Sequence, residues 1–163
     1  MRDLDFSIMI QFIPMIGDAI VVVLTVGIFS FIFALLIAIV VGILRSGNLP
    51  KPIKFILASY VELVRGTPLL VQLFVFYYGL PAFGIKVPPI ESAIITMSLN
   101  SGAYFSEIVR GAIMSVEKGQ YEAAKTLGYS KLQTSLYIVL PQAMRIAIPS
   151  FMNGFSTMIK ETS

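Results

Sequence analysis

The groups in this chain best placed to do chemistry are two stripes of polar side chains inside otherwise apolar segments. Thr96, Asn100, Tyr104 and Glu107 follow one another at offsets of four, four and three, which sets all four on one face of a helix. Ser150, Asn153, Thr157 and the pair Lys160-Glu161 repeat that spacing near the C-terminus. Polar groups at membrane depth are costly and usually face protein or a water-filled cavity. Their expected chemistry is solvation, with amide, hydroxyl and carboxylate groups standing in for water around a small polar solute. The candidate pathway residues are Asn100, Ser101, Tyr104, Asn153, Thr157 and Glu161. The same spacing would also serve interhelical hydrogen bonding, with Gly102, Ala103 and Ser106 packing closely. For Glu107 and Arg110 the expected role is an ion pair that anchors a helix at the interface. Lys160 has the alternative of snorkelling to the outer interface. Tyr77-Tyr78 reads either as a substrate contact or, more cheaply, as part of an aromatic belt.

Other chemistries are excluded by composition. The 163 residues include no Cys and no His, so thiolate chemistry, disulfides, Cys/His metal clusters and His-based proton transfer are out of reach. No paired carboxylates sit at a plausible catalytic position. A phosphate-cradling loop would need Gly-x-x-x-x-Gly-Lys-Ser/Thr. The nearest approach, Gly79 to Gly84 followed by Ile85-Lys86, lacks the lysine in place. The chain is therefore read as no enzyme, with no cofactor and no metal, and any energy from ATP must come through another subunit.

A second constellation is mechanical. Tyr121 to Leu127 is rich in Ala and Lys and predicts a short helix, with Gly128 suited to a left-handed C-terminal cap. Ser130 and Gln133 have capping-box spacing, which predicts the start of another short helix. Two helices meeting at a glycine corner make a stiff elbow able to transmit a push. Left on the surface of an apolar protein, such a polar interlude reads as an offer to a soluble partner, or else as a solvated loop.

The elements that must hold these groups are transmembrane helices. Hydrophobic residues make up 56% and charged residues 13%, against roughly 45–50% and 25% in ordinary soluble domains. Positions 19–44 carry no charge over 26 residues, and about 20 suffice to span a bilayer core. That run is too long for a signal-peptide core, and no small-residue cleavage site follows it. The first 18 residues, with Arg2, Asp3, Asp5, Asp18 and Pro14, read as an interfacial segment. Span 1 then covers 19–44 and is apolar enough to face lipid. Residues 53–65 predict an amphipathic helix with Ile53, Ile56, Leu57, Tyr60 and Val64 on its apolar side. Thr67 and Pro68 suit the N-cap and first helical position of a new element. Span 2 runs to about Leu80, either as that new element or as a continuation of the preceding helix through a kink at Gly66-Thr67-Pro68. Span 3 is expected from Ile90 to Val109, with Glu91 favourable in its first turn. Span 4 follows Pro141, with Pro149 as a kink. The fold class is all-α, a polytopic membrane protein.

Nine of the twelve Lys and Arg fall within 45–65 and 110–145, while the 80–89 turn carries Lys86 alone. Positive residues favour the cytoplasmic side. The N-terminus is therefore expected outside and the 110–137 loop inside. The net charge of +3 is better explained by this asymmetry than by a nucleic-acid-binding face.

Glu122-Ala123-Ala124, then Gly128, then Ile138-Val139-Leu140-Pro141 resembles the signature of the membrane subunit of binding-protein-dependent ABC importers. In that family the loop docks into the ATPase subunit. Tyr60 to Gln72, with Arg65-Gly66-Thr67-Pro68 at its centre, is similar to permeases for polar amino acids. So are Ala103-Tyr104, Glu107-Ile108, Arg110-Gly111, Gly119-Gln120 and Lys160-Glu161-Thr162-Ser163. The resemblance implies a translocation subunit in the cytoplasmic (inner) membrane. Its ATPase contact would comprise Tyr121, Glu122, Ala123, Ala124, Gly128 and Tyr129. The implied partners are ABC ATPase subunits, a second permease of the same or a related kind, an extracytoplasmic solute-binding protein and the lipid bilayer, and no nucleic acid. Such permeases carry five spans with a further loop and helix beyond the Lys-Glu-Thr-Ser segment. Residues 1–163 are therefore expected to be one transmembrane domain lacking its last helix, a fragment with four spans of five. The elbow alone would equally serve a permease for another small solute. A non-transporting membrane scaffold is the reading from a different class.

Overall fold

The computed structural model describes residues 6–162, with side chains from residue 13 onward. It is helical throughout, with no strand among the described residues. Helix α1 runs Phe6–Ser46, and α2 covers Lys51–Arg65. Helix α3, Leu69–Phe74, widens into a π-helical turn at Val75–Gly79 and ends in a 3-10 turn, Leu80–Phe83. Helix α4 is Pro89–Met114 and α5 is Lys118–Thr126. The single turn α6, Lys131–Gln133, passes through a second π-helical stretch, Thr134–Val139, directly into α7, Leu140–Thr162.

Several boundaries depart from the sequence reading, each for an identifiable reason. Helix α1 starts well before residue 19 and runs through Pro14. A proline deletes one N–H donor, but an apolar segment in lipid has no other way to satisfy its backbone, so the helix continues. The charges Arg2, Asp3 and Asp5 lie outside the described residues, as does Ser163. Thr67 does not cap α3. The N-cap is Pro68, without a side-chain bond, and the Thr67 hydroxyl turns back to the carbonyl of Leu63 at 2.9 Å. On α2 the inward face is Leu57, Tyr60, Val61 and Val64, set against Val41 and Ala103. Ile53 and Ile56 point outward beside Phe55 and Leu63.

Helix α4 is the hub, with α1 packed along it and α2, α3 and α7 around it. Its approach to α1 depends on small residues. Ser30, Ala34, Ala38 and Gly42 recur every fourth position of α1 and are all buried. A Cβ on Gly42 would meet Val109 Cβ at 2.6 Å and the Ser106 carbonyl oxygen at 2.8 Å, and one on Gly102 would meet Ile37 Cβ at 2.9 Å. With no hydrophobic drive between helices in lipid, such close backbone approach supplies the packing energy. The opposite flank of α1 leaves Ile20, Leu24, Ile28, Phe29, Ile32 and Leu36 exposed, as a lipid-facing surface would be. Phe105 of α4 bridges to the other side, its ring centroid 5.8 Å from that of Phe31 and 5.6 Å from that of Phe151 on α7.

Among the described residues one helical stretch, Ile13–Ser46, is long and apolar enough to cross a membrane. A second qualifies if Lys51–Arg65 and Leu69–Phe83, bent by 105°, count together. Helix α4 buries Ser92, Thr96, Ser98, Asn100, Ser101 and Ser106, which dilutes its hydropathy while keeping those groups off the surface.

Candidate functional site

The 105° bend between α2 and α3 lies beside the polar stripe of α4, and the space between them is the principal cavity, about 960 Å³. Sites for small molecules commonly measure about 300–1,000 Å³. One wall is the irregular segment Arg65 to Leu69. The second is the α4 face carrying Asn100, Ser101, Tyr104 and Glu107. The third is the α7 face with Gly154, Thr157 and Glu161.

Of the six candidate pathway residues, five line this cavity: Asn100, Ser101, Tyr104, Thr157 and Glu161. Asn153 does not. It lies on an exposed part of α7, where its carbonyl accepts the Thr157 hydroxyl at 3.1 Å. Thr96 is also absent from the lining; it is fully buried and its hydroxyl donates to the Ser92 carbonyl at 2.7 Å. Ser150 is exposed.

The bend is fastened to α4 by three contacts. The Asn100 amide donates to Gln72 Oε1 at 3.2 Å. The Tyr104 hydroxyl donates to the Arg65 carbonyl at 3.3 Å. The Arg65 guanidinium lies over the Tyr104 ring, 5.1 Å from its centroid, a cation–π geometry. Spacing arguments did not single out Arg65 or Gln72 as site residues. They belong to a different helix pair from the polar stripe, and only the bend brings them to it. The signal available in sequence was the Gly66-Thr67-Pro68 break.

Charge is disposed unevenly around the cavity. At one margin Glu107 joins Arg45 from the end of α1 and takes two bonds from Arg110, from Nη2 at 2.7 Å and Nε at 3.1 Å. The ion pair expected of Glu107 and Arg110 is present and belongs to a three-residue cluster, with Arg45 tying in α1. Two guanidinium groups compensate that carboxylate, which leaves Arg65 and Glu161 as the more available charges, on different helices of the lining. Neutral donors and acceptors lie between them, with Leu69, Phe105, Ile108 and Met158 as apolar surface. Such a lining can hold a small solute that carries both charges. No group of three or more Asp or Glu able to hold a metal occurs among the described residues.

The elbow has the local geometry that its residues call for. Gly128 sits at φ +81°. Its N–H bonds to the Lys125 carbonyl at 3.1 Å and that of Tyr129 to the Ala124 carbonyl at 3.0 Å. This pair of bonds is a Schellman cap. Ser130 follows at once with a complete capping box, the Gln133 side chain accepting from the Ser130 N–H at 2.9 Å and the Ser130 hydroxyl accepting from the Gln133 N–H at 3.3 Å. Ala124 is fully buried, whereas Tyr121, Glu122, Ala123, Gly128 and Tyr129 are exposed. Leu127 (74% exposed) and Leu132 (69%) leave the corner with apolar surface and no cover.

Comparison with known proteins agrees with this architecture. Residues 34–163 match the model of the binding-protein-dependent transport system inner membrane component family. The L-cystine transport system permease protein TcyB of Bacillus subtilis is 43% identical over 153 residues, covering 94% of this chain and 65% of that protein. The arginine transport system permease protein ArtQ of the same organism is 37% identical over 164 residues, covering 99% of this chain and 74% of the relative. The chain thus spans about two thirds to three quarters of these relatives' lengths. Among solved structures, an amino acid ABC transporter with histidines superposes at a TM-score of 0.90 with 34% identity, over 99% of this chain and 75% of that one. The inward-facing MetNI methionine ABC transporter superposes at 0.78 with 16% identity, over 92% of this chain and 72% of that one, which speaks to the fold alone.

Proposed function

The chain belongs to the family of binding-protein-dependent transport system inner membrane components, and we propose that it is the translocation subunit of an ATP-driven importer for polar amino acids. The observation that carries this reading is the cavity in which a broken helix meets polar faces of α4 and α7, with one charge of each sign, Arg65 and Glu161, in its lining. Irregular backbone at membrane depth is tolerated where it lines such a space, and transporters commonly place substrate at discontinuous helices. A zwitterionic amino acid has the matching pair of charges. The relatives named for cystine and arginine transport support the substrate class.

In this reading the elbow from α5 to α6 faces the cytoplasm and seats in an ABC ATPase. ATP binding draws two ATPases together, and the elbow, capped rigidly on both sides of Gly128, carries that motion through α7 to the cavity. A second permease completes the pathway, and an external binding protein delivers substrate. The N-terminus lies outside, with the excess of Lys and Arg on the inner loops.

The test is uptake into vesicles carrying the assembled transporter, challenged with a panel of amino acids and with other small solutes, while ATPase activity is followed. Competition confined to polar amino acids, and stimulated ATPase activity lost in Gly128→Pro, are the expected results. ATPase association that survives deletion of residues 120–137 would sink the coupling role. Competition by solutes of another class alone would sink the substrate assignment.

A further inference from the structure

We infer that Gln72 is a positioning residue, an amide clasp that holds the α2–α3 bend in place as a wall of the cavity. The inference deepens the reading above, because it assigns Gln72 a part in shaping the site at which a polar amino acid would be held.

The need for a clasp begins with Pro68. In a continuous helix the carbonyl of Val64 would accept the N–H of residue 68, and proline has none. The chain bends by 105° there, which leaves the last carbonyls of α2 without helical partners beside a cavity. An unsatisfied backbone carbonyl away from bulk water costs about 1–3 kcal/mol. Gln72, one turn into α3, reaches back to the orphans. Its Nε2 donates to the Val64 carbonyl at 2.7 Å and lies 2.8 Å from the Thr67 hydroxyl and 3.1 Å from the Thr67 carbonyl.

The other end of the same amide ties this corner to α4, since Gln72 Oε1 accepts from Asn100 at 3.2 Å. One planar group therefore joins the Thr67 hydroxyl, which lies 3.4 Å from the same Val64 carbonyl, in serving the break, and adds to the Tyr104 contacts a tie to the α4 polar face. Among side chains of that length only the amide offers two N–H donors at one corner and an acceptor at the other. A carboxylate keeps only the acceptor, and a thioether has no N–H donor.

The test uses the absence of native cysteine. Ser101→Cys, nearly isosteric, places one thiol in the cavity wall at a position only 7% exposed. Its reaction with a water-soluble maleimide is followed in vesicles carrying the assembled transporter, with Lys86→Cys in the exposed turn as the control for probe access and Ser30→Cys, fully buried and expected to stay unlabelled, as the control for intact folding. Amino acid uptake is measured in parallel without the probes. Gln72→Met is expected to raise labelling of Ser101→Cys and the uptake KM by about tenfold each, the scale of one buried polar group losing its partner, with a smaller change in Vmax. Gln72→Glu, which keeps the shape and the acceptor, is expected to do the same, and it carries the comparison should Gln72→Met fail to insert. Labelling that stays unchanged in both variants while Lys86→Cys labels normally overturns the clasp. Labelling that rises with an unmoved KM upholds the clasp and instead overturns the cavity's role in transport.

Discussion

Gly42→Ala should separate α1 from α4, and its size can be worked from contacts already described. An added Cβ would lie 2.6 Å from Val109 Cβ and 2.8 Å from the Ser106 carbonyl oxygen, where ordinary contacts begin near 3.4 Å. The deficit is roughly 0.6–0.8 Å. Neither obstacle is the free end of a flexible side chain: one is a branch point and the other is backbone. Overpacking of this kind costs about 1–3 kcal/mol, and two hard contacts argue for the upper half. Replacing a mid-helix glycine returns about 0.5–1 kcal/mol of backbone entropy, so the net loss is about 1–2.5 kcal/mol. Two other glycines calibrate the series. Gly27 faces only the far end of the Ile159 side chain, and Gly111 faces nothing within 4 Å. Gly27→Ala should be neutral, and Gly111→Ala should gain the entropic term of about 0.5–1 kcal/mol. Thermal unfolding of the purified protein in detergent reads all three. At about 2–4 °C per kcal/mol for chains of this size, Gly42→Ala should lower Tm by roughly 2–10 °C. Equal Tm for Gly42→Ala and Gly27→Ala would refute the claim that the α1 seam depends on hard backbone contact.

Gly128→Ala forces a side chain into the left-handed region, at about 1–2 kcal/mol; ATPase stimulation should fall while the chain still inserts, as read by ATPase assay beside membrane protein level. Glu107→Gln leaves Arg45 and Arg110 without their shared counter-charge, and should destabilise by about 1.5–3 kcal/mol, measured as a Tm shift that Arg110→Gln alone does not match. Thr157→Val should raise the uptake KM because Thr157 lines the cavity, whereas Asn153→Ala should leave it unchanged because Asn153 does not; kinetic uptake assays separate the two.

Local rules made part of this molecule legible. The Ser130–Gln133 box and the left-handed Gly128 depend only on residues within one turn of each other, so spacing was enough to place them. The polar face of α4 was readable for the same reason. The α2 face was not, because Ile53 and Leu57 are equivalent to a periodicity count, and Val41 and Ala103 choose between them. The seam of Ser30, Ala34, Ala38 and Gly42 lies inside an uncharged and almost wholly apolar run. There hydropathy carries no contrast, and side-chain size alone marks the buried side.

The irregular places show most clearly where sequence reading stops. Each π-helical stretch ends two residues before a proline, Pro81 or Pro141, whose missing N–H leaves a carbonyl one turn back without its donor. Pro14 and Pro149 lie within helices that show no such widening, so the proline contributes to the distortion without dictating it. At Pro68 the same deficit is met in a third way, by a sharp bend and the amide of Gln72. Sequence thus announces that a carbonyl will be orphaned and at which residue. Which remedy the chain adopts depends on what stands nearby to donate, and for Val64 that donor is held in register by Asn100, 28 residues further along the chain from Gln72. The shape of the cavity is therefore a tertiary property, even though the break that opens it is written in the three residues Gly66, Thr67 and Pro68.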